Sequence, residues 1–122
     1  MTISINPTDV LVVVDMQNDF LPGGSLGVTG GDEIVPLINT LARHFNNVVL
    51  TQDWHPADHV SFASQHPGKA PFETIELEYG TQVLWPDHCV WNSHGAAIAA
   101  DLDIPHAQLI LRKGYNLSLI HI

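Results

Sequence analysis

Asp53 and His55 stand two residues apart in the segment Gln52-Asp53-Trp54-His55-Pro56, with His59 a little further on and His88 arriving from the end of a long polar stretch. In extended chain a two-residue spacing directs both side chains to one side. A carboxylate oxygen with imidazole nitrogens is a donor set suited to one divalent ion, Zn²⁺, Mn²⁺ or Fe²⁺, with positions left open for water or substrate. Histidines near prolines also occur on surfaces that hold no metal, so spacing alone carries this reading only part of the way. The chain has eight histidines, and four of them, His55, His59, His66 and His88, fall in that one stretch, more than a core needs.

Three polar positions stand at or just beyond the ends of apolar runs: Asp15, then Asp53 with His55, then Lys113. Taken singly each reads as a helix or turn cap. Together they mark the carboxyl edge of an open α/β sheet, where ligand crevices lie, because an isolated buried Asp or Lys is costly without a partner. Cys89 directly follows His88 among Trp85, Pro86, Val90 and Trp91, and this setting reads as a buried inert thiol rather than a nucleophile.

The elements that must position these residues are legible in part. Val10-Leu11-Val12-Val13-Val14 is a continuous, mostly β-branched run, the pattern of a parallel strand buried on both faces. After a Pro22-Gly23-Gly24 loop and a Gly-Gly-Asp-Glu start, Ile34, Leu37, Ile38, Leu41, Ala42 and Phe45 recur at helical spacing, and Asn46-Asn47 can end that helix. Val48-Val49-Leu50 follows as a second strand, giving a right-handed βαβ unit. Between Gln52 and His88 periodicity disappears, which marks a long functional loop, since its tryptophans and histidines argue against disorder. A short helix of small residues is expected over 95–100, and Gln108-Leu109-Ile110-Leu111 reads as a third strand ending at Arg112-Lys113.

Thirteen acids against four bases give a formal charge of −9, which repels nucleic acid and anionic membrane surfaces, so a neutral or cationic small molecule is the expected partner. One cysteine allows no internal disulfide, and neither a signal-peptide pattern nor a membrane-length apolar run is visible, so the expected location is the cytoplasm. At 122 residues and 45% hydrophobic composition the chain holds material for one core. Leu-Ser-Leu-Ile-His-Ile, over 117–122, is also the translation of a transposon end used in sequencing libraries and reads as a foreign tail. The expected organisation is an incomplete domain over 1–116, because a three-stranded start without closing helices cannot cover both faces of its sheet.

The segments Val14-Asp15-Met16-Gln17-Asn18-Asp19-Phe20, Pro22-Gly23-Gly24-Ser25-Leu26, Gln52-Asp53-Trp54-His55-Pro56, Trp85-Pro86-Asp87-His88-Cys89-Val90 and Arg112-Lys113-Gly114, in this order, closely resemble the nicotinamidase, or pyrazinamidase, branch of the isochorismatase-like hydrolases. The resemblance implies the N-terminal part of a three-layer α/β/α fold with a parallel sheet. It implies hydrolysis of nicotinamide or pyrazinamide through a cysteine thioester, in NAD salvage, by a protein that could form a homo-oligomer at full length. By motif position Asp15 and Lys113 would be two members of an Asp-Lys-Cys triad. Asp53, His55 and His88 would hold the metal, with His59 a ligand in some relatives and a polar contact in others, and Phe20 and Trp85 would wall the substrate ring. No residue of this sequence matches the family's nucleophile, so the chain alone is expected to be inactive. The competing readings are another isochorismatase-like amide hydrolase, against which the three metal-ligand candidates count, and a non-catalytic metal-binding fragment.

Overall fold

The computed structural model describes residues 3–116; the foreign-tail reading of 117–122 lies outside them. Three parallel strands form the main sheet in the order β1-β2-β5: β1 is Val10–Val14, β2 Asn47–Asp53, and β5 Leu109–Lys113. Between β1 and β2 the chain runs through a 3₁₀ turn at Gly31–Ile34 into α1, Val35–Ala42, with Pro36 in its first turn, where its missing N–H costs nothing. The expected βαβ unit is therefore present, with a helix shorter than the apolar spacing suggested: beyond Ala42 the backbone closes into turns ending at Phe45.

Val13, Met16, Val35, Ala42, Val48 and Leu50 form the core between one sheet face and α1, flanked by Ile38, Phe45, Leu102 and Ile104. On the opposite face the register aligns Val12 with Val49 and Leu109, and Val14 with Thr51 and Leu111. Val10, Val12, Val14, Leu109 and Leu111 are each about half exposed, between 51% and 60%. The first strand is thus buried on one face only. The continuous β-branched run describes a strand suited to double burial, and the described residues cover just one side of it.

Two further expectations are corrected. The long stretch after β2 is not without elements: it contains a 3₁₀ turn at Ala63–Gln65 and an antiparallel hairpin of β3, Thr74–Leu77, and β4, Gly80–Val83. Glu76 and Glu78 flank apolar residues in the hairpin, and four-residue strands are too short for alternation to stand out. Residues 95–100 form turns rather than a helix. Their backbone is spent on long-range bonds, Asn18 N–H to Ala97 O, Asp19 N–H to Gly95 O and Ala99 N–H to Met16 O, which compete with an intrahelical ladder.

Candidate active site and metal centre

The carboxyl ends of the three strands bring the expected polar residues together. Asp53 and Lys113 are the last residues of β2 and β5 and are register partners, so both side chains leave the sheet on the same face. Lys113 Nζ donates to Asp53 Oδ1 at 2.6 Å and to Asp15 Oδ2 at 2.7 Å, bridging two carboxylates. Asp15 follows β1 in the left-handed region, φ +53°, a conformation that Asp tolerates better than most residues and that turns its carboxylate away from the strand direction. Thr51 holds it there: its hydroxyl donates to Asp15 Oδ1 at 2.6 Å, and Asp15 N–H points back to Thr51 O.

Burial would raise the Asp53 carboxyl, but the neighbouring His55 and the hydrogen bond and charge of Lys113 outweigh it and bring it down to about 2. Burial would lower Lys113, but its hydrogen bonds to Asp15 and Asp53 and their charges hold it above the usual lysine range. Gln17, fully buried, fixes the end of β2 from below. Its amide accepts from Asp53 N–H and donates to Asp53 O, both at 2.8 Å, and donates again to Ala96 O at 2.9 Å. Composition and spacing offered no signal for this role; a buried glutamine in a strand-to-loop segment is identified only by its partners.

His55 and His88 reach the same place from different loops. His55 Nδ1 lies 2.6 Å from Gly114 O, and His88 Nδ1 lies 2.8 Å from Pro86 O. A carbonyl can only accept, so in each ring Nδ1 carries the proton and Nε2 keeps its lone pair. His55 Nε2 is 3.6 Å from Asp53 Oδ2, and one ligand atom from each of Asp53, His55 and His88 falls within 4.8 Å of the others. Two lone pairs and a carboxylate oriented by backbone carbonyls form a donor set that fits one borderline divalent ion. Phe62, fully buried, packs its ring against all three of His55, His59 and His88. It stands in the segment without periodicity, so spacing along the chain does not single it out as the platform of the site. Gly114, at φ +82°, passes so close to His55 that a Cβ would sit 2.6 Å from its Cε1.

His59 lies outside that donor set, its ring centre 4.5 Å from that of His55. Burial and the neighbouring His55 and His88 push it down to about 4, against the Asp53 charge and a hydrogen bond with the Asn116 backbone. Burial likewise lowers His88. His66 is turned away, with Nε2 2.7 Å from Val60 O. Phe20 and Trp85 line a cavity of about 330 Å³ together with His55, His59, His88 and Lys113, and the Phe20 ring lies 5.7 Å from that of His88. That volume is at the small end for ligand sites. Cys89 is fully buried; burial, then the charges of Asp53, Asp19 and Asp15, push its thiol far above the ordinary range. It does not serve as a nucleophile in this state.

No protein-family model matches the chain. It is 58% identical over 106 residues to a nicotinamidase of Acinetobacter baylyi, a match covering 87% of this chain and 50% of that protein. The solved structure of an Acinetobacter baumanii nicotinamidase/pyrazinamidase superposes with a TM-score of 0.89 at 60% identity, over 93% of this chain and 55% of the other. This chain is part of a nicotinamidase-type, isochorismatase-like domain. A Pyrococcus horikoshii pyrazinamidase, solved in complex with zinc, superposes on the nicotinamidase-type chain with a TM-score of 0.67 at 38% identity, covering 88% of this chain and 52% of that one. The chain spans about half the length of the curated relatives it matches. Among the described residues no helix is long and apolar enough to cross a membrane.

Proposed function

We propose that the protein to which this chain belongs hydrolyses the carboxamide of nicotinamide, and of the related pyrazinamide, to the carboxylate and ammonia. The observation that carries this reading is the bridge of Lys113 between Asp15 and Asp53 beside the Asp53-His55-His88 cluster, at one edge of a small pocket. Similarity to nicotinamidases and to a zinc-bound pyrazinamidase supports it.

In this mechanism Asp53, His55 and His88 would hold one divalent ion, Zn²⁺, Mn²⁺ or Fe²⁺, which would supply an electrophilic anchor for the heteroaromatic ring. Phe20 and Trp85 flank the ring and exclude water from its faces. Asp15 is the base. It takes the proton from a cysteine thiol supplied by the remainder of the domain, the thiolate attacks the amide carbon, and Asp15 returns the proton to the departing ammonia. Water then opens the thioester, giving the carboxylate and restoring the thiol. Lys113 pairs with the Asp15 carboxylate and electrostatically favours the thiolate. A cytoplasmic enzyme of NAD salvage is the corresponding biological setting.

The burial and raised pKa of Cys89 favour a second reading for the 122 residues by themselves, a metal-binding unit without amide hydrolysis. Ammonia release from nicotinamide, measured for this chain and for a chain extended to the length of its relatives, tests both. The extended protein is expected to turn over and to lose roughly a thousandfold or more on Asp15→Asn. Turnover undiminished by Asp15→Asn contradicts the proposed base, and turnover by the 122 residues alone contradicts the external thiol.

A further inference from the structure

Phe72 stands just before β3 with its backbone at φ +73°, in the left-handed region that a bulky aromatic residue seldom enters. Two features of the local chain put it there. Ala70-Pro71-Phe72-Glu73 is a tight turn closed by Glu73 N–H donating to Ala70 O at 3.2 Å, and the Glu73 carboxylate accepts in return from Ala70 N–H at 2.6 Å. Proline in second place and a left-handed residue in third is the pattern of a type II turn, whose third place suits glycine. The same residue is also the extra one of a β-bulge. Beyond the Thr74–Val83 pair, Leu84 faces two residues: Phe72 N–H donates to Leu84 O at 2.6 Å, and Leu84 N–H donates to Glu73 O at 2.8 Å. A bulge with its first residue left-handed again favours glycine, and bulges beside functional sites re-aim a side chain. Here that side chain is a phenyl ring left 63% exposed. Backbone strain at such a place points to a task for the ring.

The ring meets Trp85 edge to face, with centroids 5.9 Å apart and planes at 89°, a favourable aromatic pair. Trp85 lines the pocket and Phe72 does not. The Trp85 backbone is fixed, its N–H donating to Ser61 O and its carbonyl accepting from Ala63 N–H, both at 2.8 Å. Those bonds leave the indole free to turn about its own side-chain torsions, so its orientation is set by what packs on it. We propose that Phe72 is a positioning residue: it braces the Trp85 indole from outside the pocket and thereby sets how tightly the pocket holds a flat heteroaromatic occupant. The effect on substrate rests on the amide-hydrolase reading of the pocket; the brace itself does not. The turn and the bulge hold the phenyl ring in place at the expense of backbone ease, so stability and binding make opposite demands on position 72.

Three variants separate the ring from the backbone. Phe72→Gly and Phe72→Ala both remove the ring, but only glycine relieves the left-handed position, and Phe72→Tyr keeps the ring. In the chain extended to the length of its relatives, the glycine and alanine variants should both raise KM for nicotinamide about 3- to 10-fold with kcat within about 2-fold, and the tyrosine variant should restore KM. Unfolding in urea should order the two truncations the other way, with the midpoint of Phe72→Gly above that of Phe72→Ala. Losses that follow stability, with KM raised in the alanine variant and normal in the glycine variant, would make Phe72 merely structural and overturn the proposal. Equal midpoints for the two would remove the strain from which it is argued, and overturn it as well. The brace is read without any ligand from the NMR signals of the Trp85 indole protons in the 122-residue chain. They should move when the neighbouring phenyl ring is removed and return in Phe72→Tyr; unmoved signals in Phe72→Gly overturn the brace. Failure of the extended wild-type protein to act on nicotinamide, with the Trp85 signals moving as stated, would instead count against the amide-hydrolase reading and leave the brace standing.

Discussion

At the scale of single residues the site is a set of groups whose charges are fixed by neighbours, and the neighbours set how the chain responds to pH. His59 is held neutral down to about 4 against an ordinary 6.5, and His88 is lowered as well. Between 6.5 and 4 the unfolded chain takes up protons that the folded one refuses, so stability is full above 6.5 and falls as pH drops through that window. Asp53 adds a second loss further down: its carboxyl moves from 3.8 to about 2 on folding, so its contribution is present above 3.8 and disappears as pH falls toward 2. Thermal melting of the metal-free chain from pH 7 to pH 4.5 should show a falling midpoint in wild type and a shallower fall in His59→Gln. Equal slopes would mean that His59 is not the group taking up the proton. Asp53, His55, His88, Asp15 and Lys113 could all be named in the sequence because their types are rare at strand ends and costly without partners. Gln17, Thr51, Ser61 and Phe62 could not, because what they do is defined by contacts across the fold rather than by spacing along the chain.

At the scale of elements, the two strand ends and two loop segments meet at Gly114. Its carbonyl accepts from His55 Nδ1, and its missing side chain lets the ring approach. Gly114→Ala adds a Cβ 2.6 Å from His55 Cε1 at a φ of +82°, so either the ring or the segment after β5 must move. The expected outcome is a loss of zinc affinity of about 10- to 100-fold with the fold retained, read by titration beside circular dichroism. Unchanged affinity would show that His55 is oriented by something other than this carbonyl. The parallel strands were legible because apolar runs of that length and branching leave little alternative, and the βαβ order followed from them. The β3–β4 hairpin and the turns over 95–100 were not. The first is too short for its pattern to rise above its surroundings, and the second is shaped by backbone bonds to the segment after β1, which no local propensity encodes.

For the whole molecule, the feature that matters is the uncovered sheet face. Val10, Val12, Val14, Leu109 and Leu111 form a contiguous apolar surface next to a strand edge, an arrangement that soluble chains seldom leave open. Prepared as these 122 residues, the protein should associate in a concentration-dependent manner, and Val12→Lys with Leu111→Lys should raise the fraction that sediments as monomer. A wild-type chain that stays monomeric at high concentration would mean that this face is covered by something beyond the described residues. The same whole-molecule view separates what the chain can do from what the relatives do. The proposed base, its lysine, the candidate metal donors and the two aromatic residues of the pocket all converge here, while the single thiol is buried. The proposed metal centre lies wholly within this chain, so it can be tested with no catalysis at all. Titration of the purified chain with Zn²⁺ should saturate at one ion, be abolished in Asp53→Ala, and persist nearly unchanged in Cys89→Ser. Absence of stoichiometric binding in the folded wild-type chain, or its loss in Cys89→Ser, would contradict the assignment of Asp53, His55 and His88 as the metal centre.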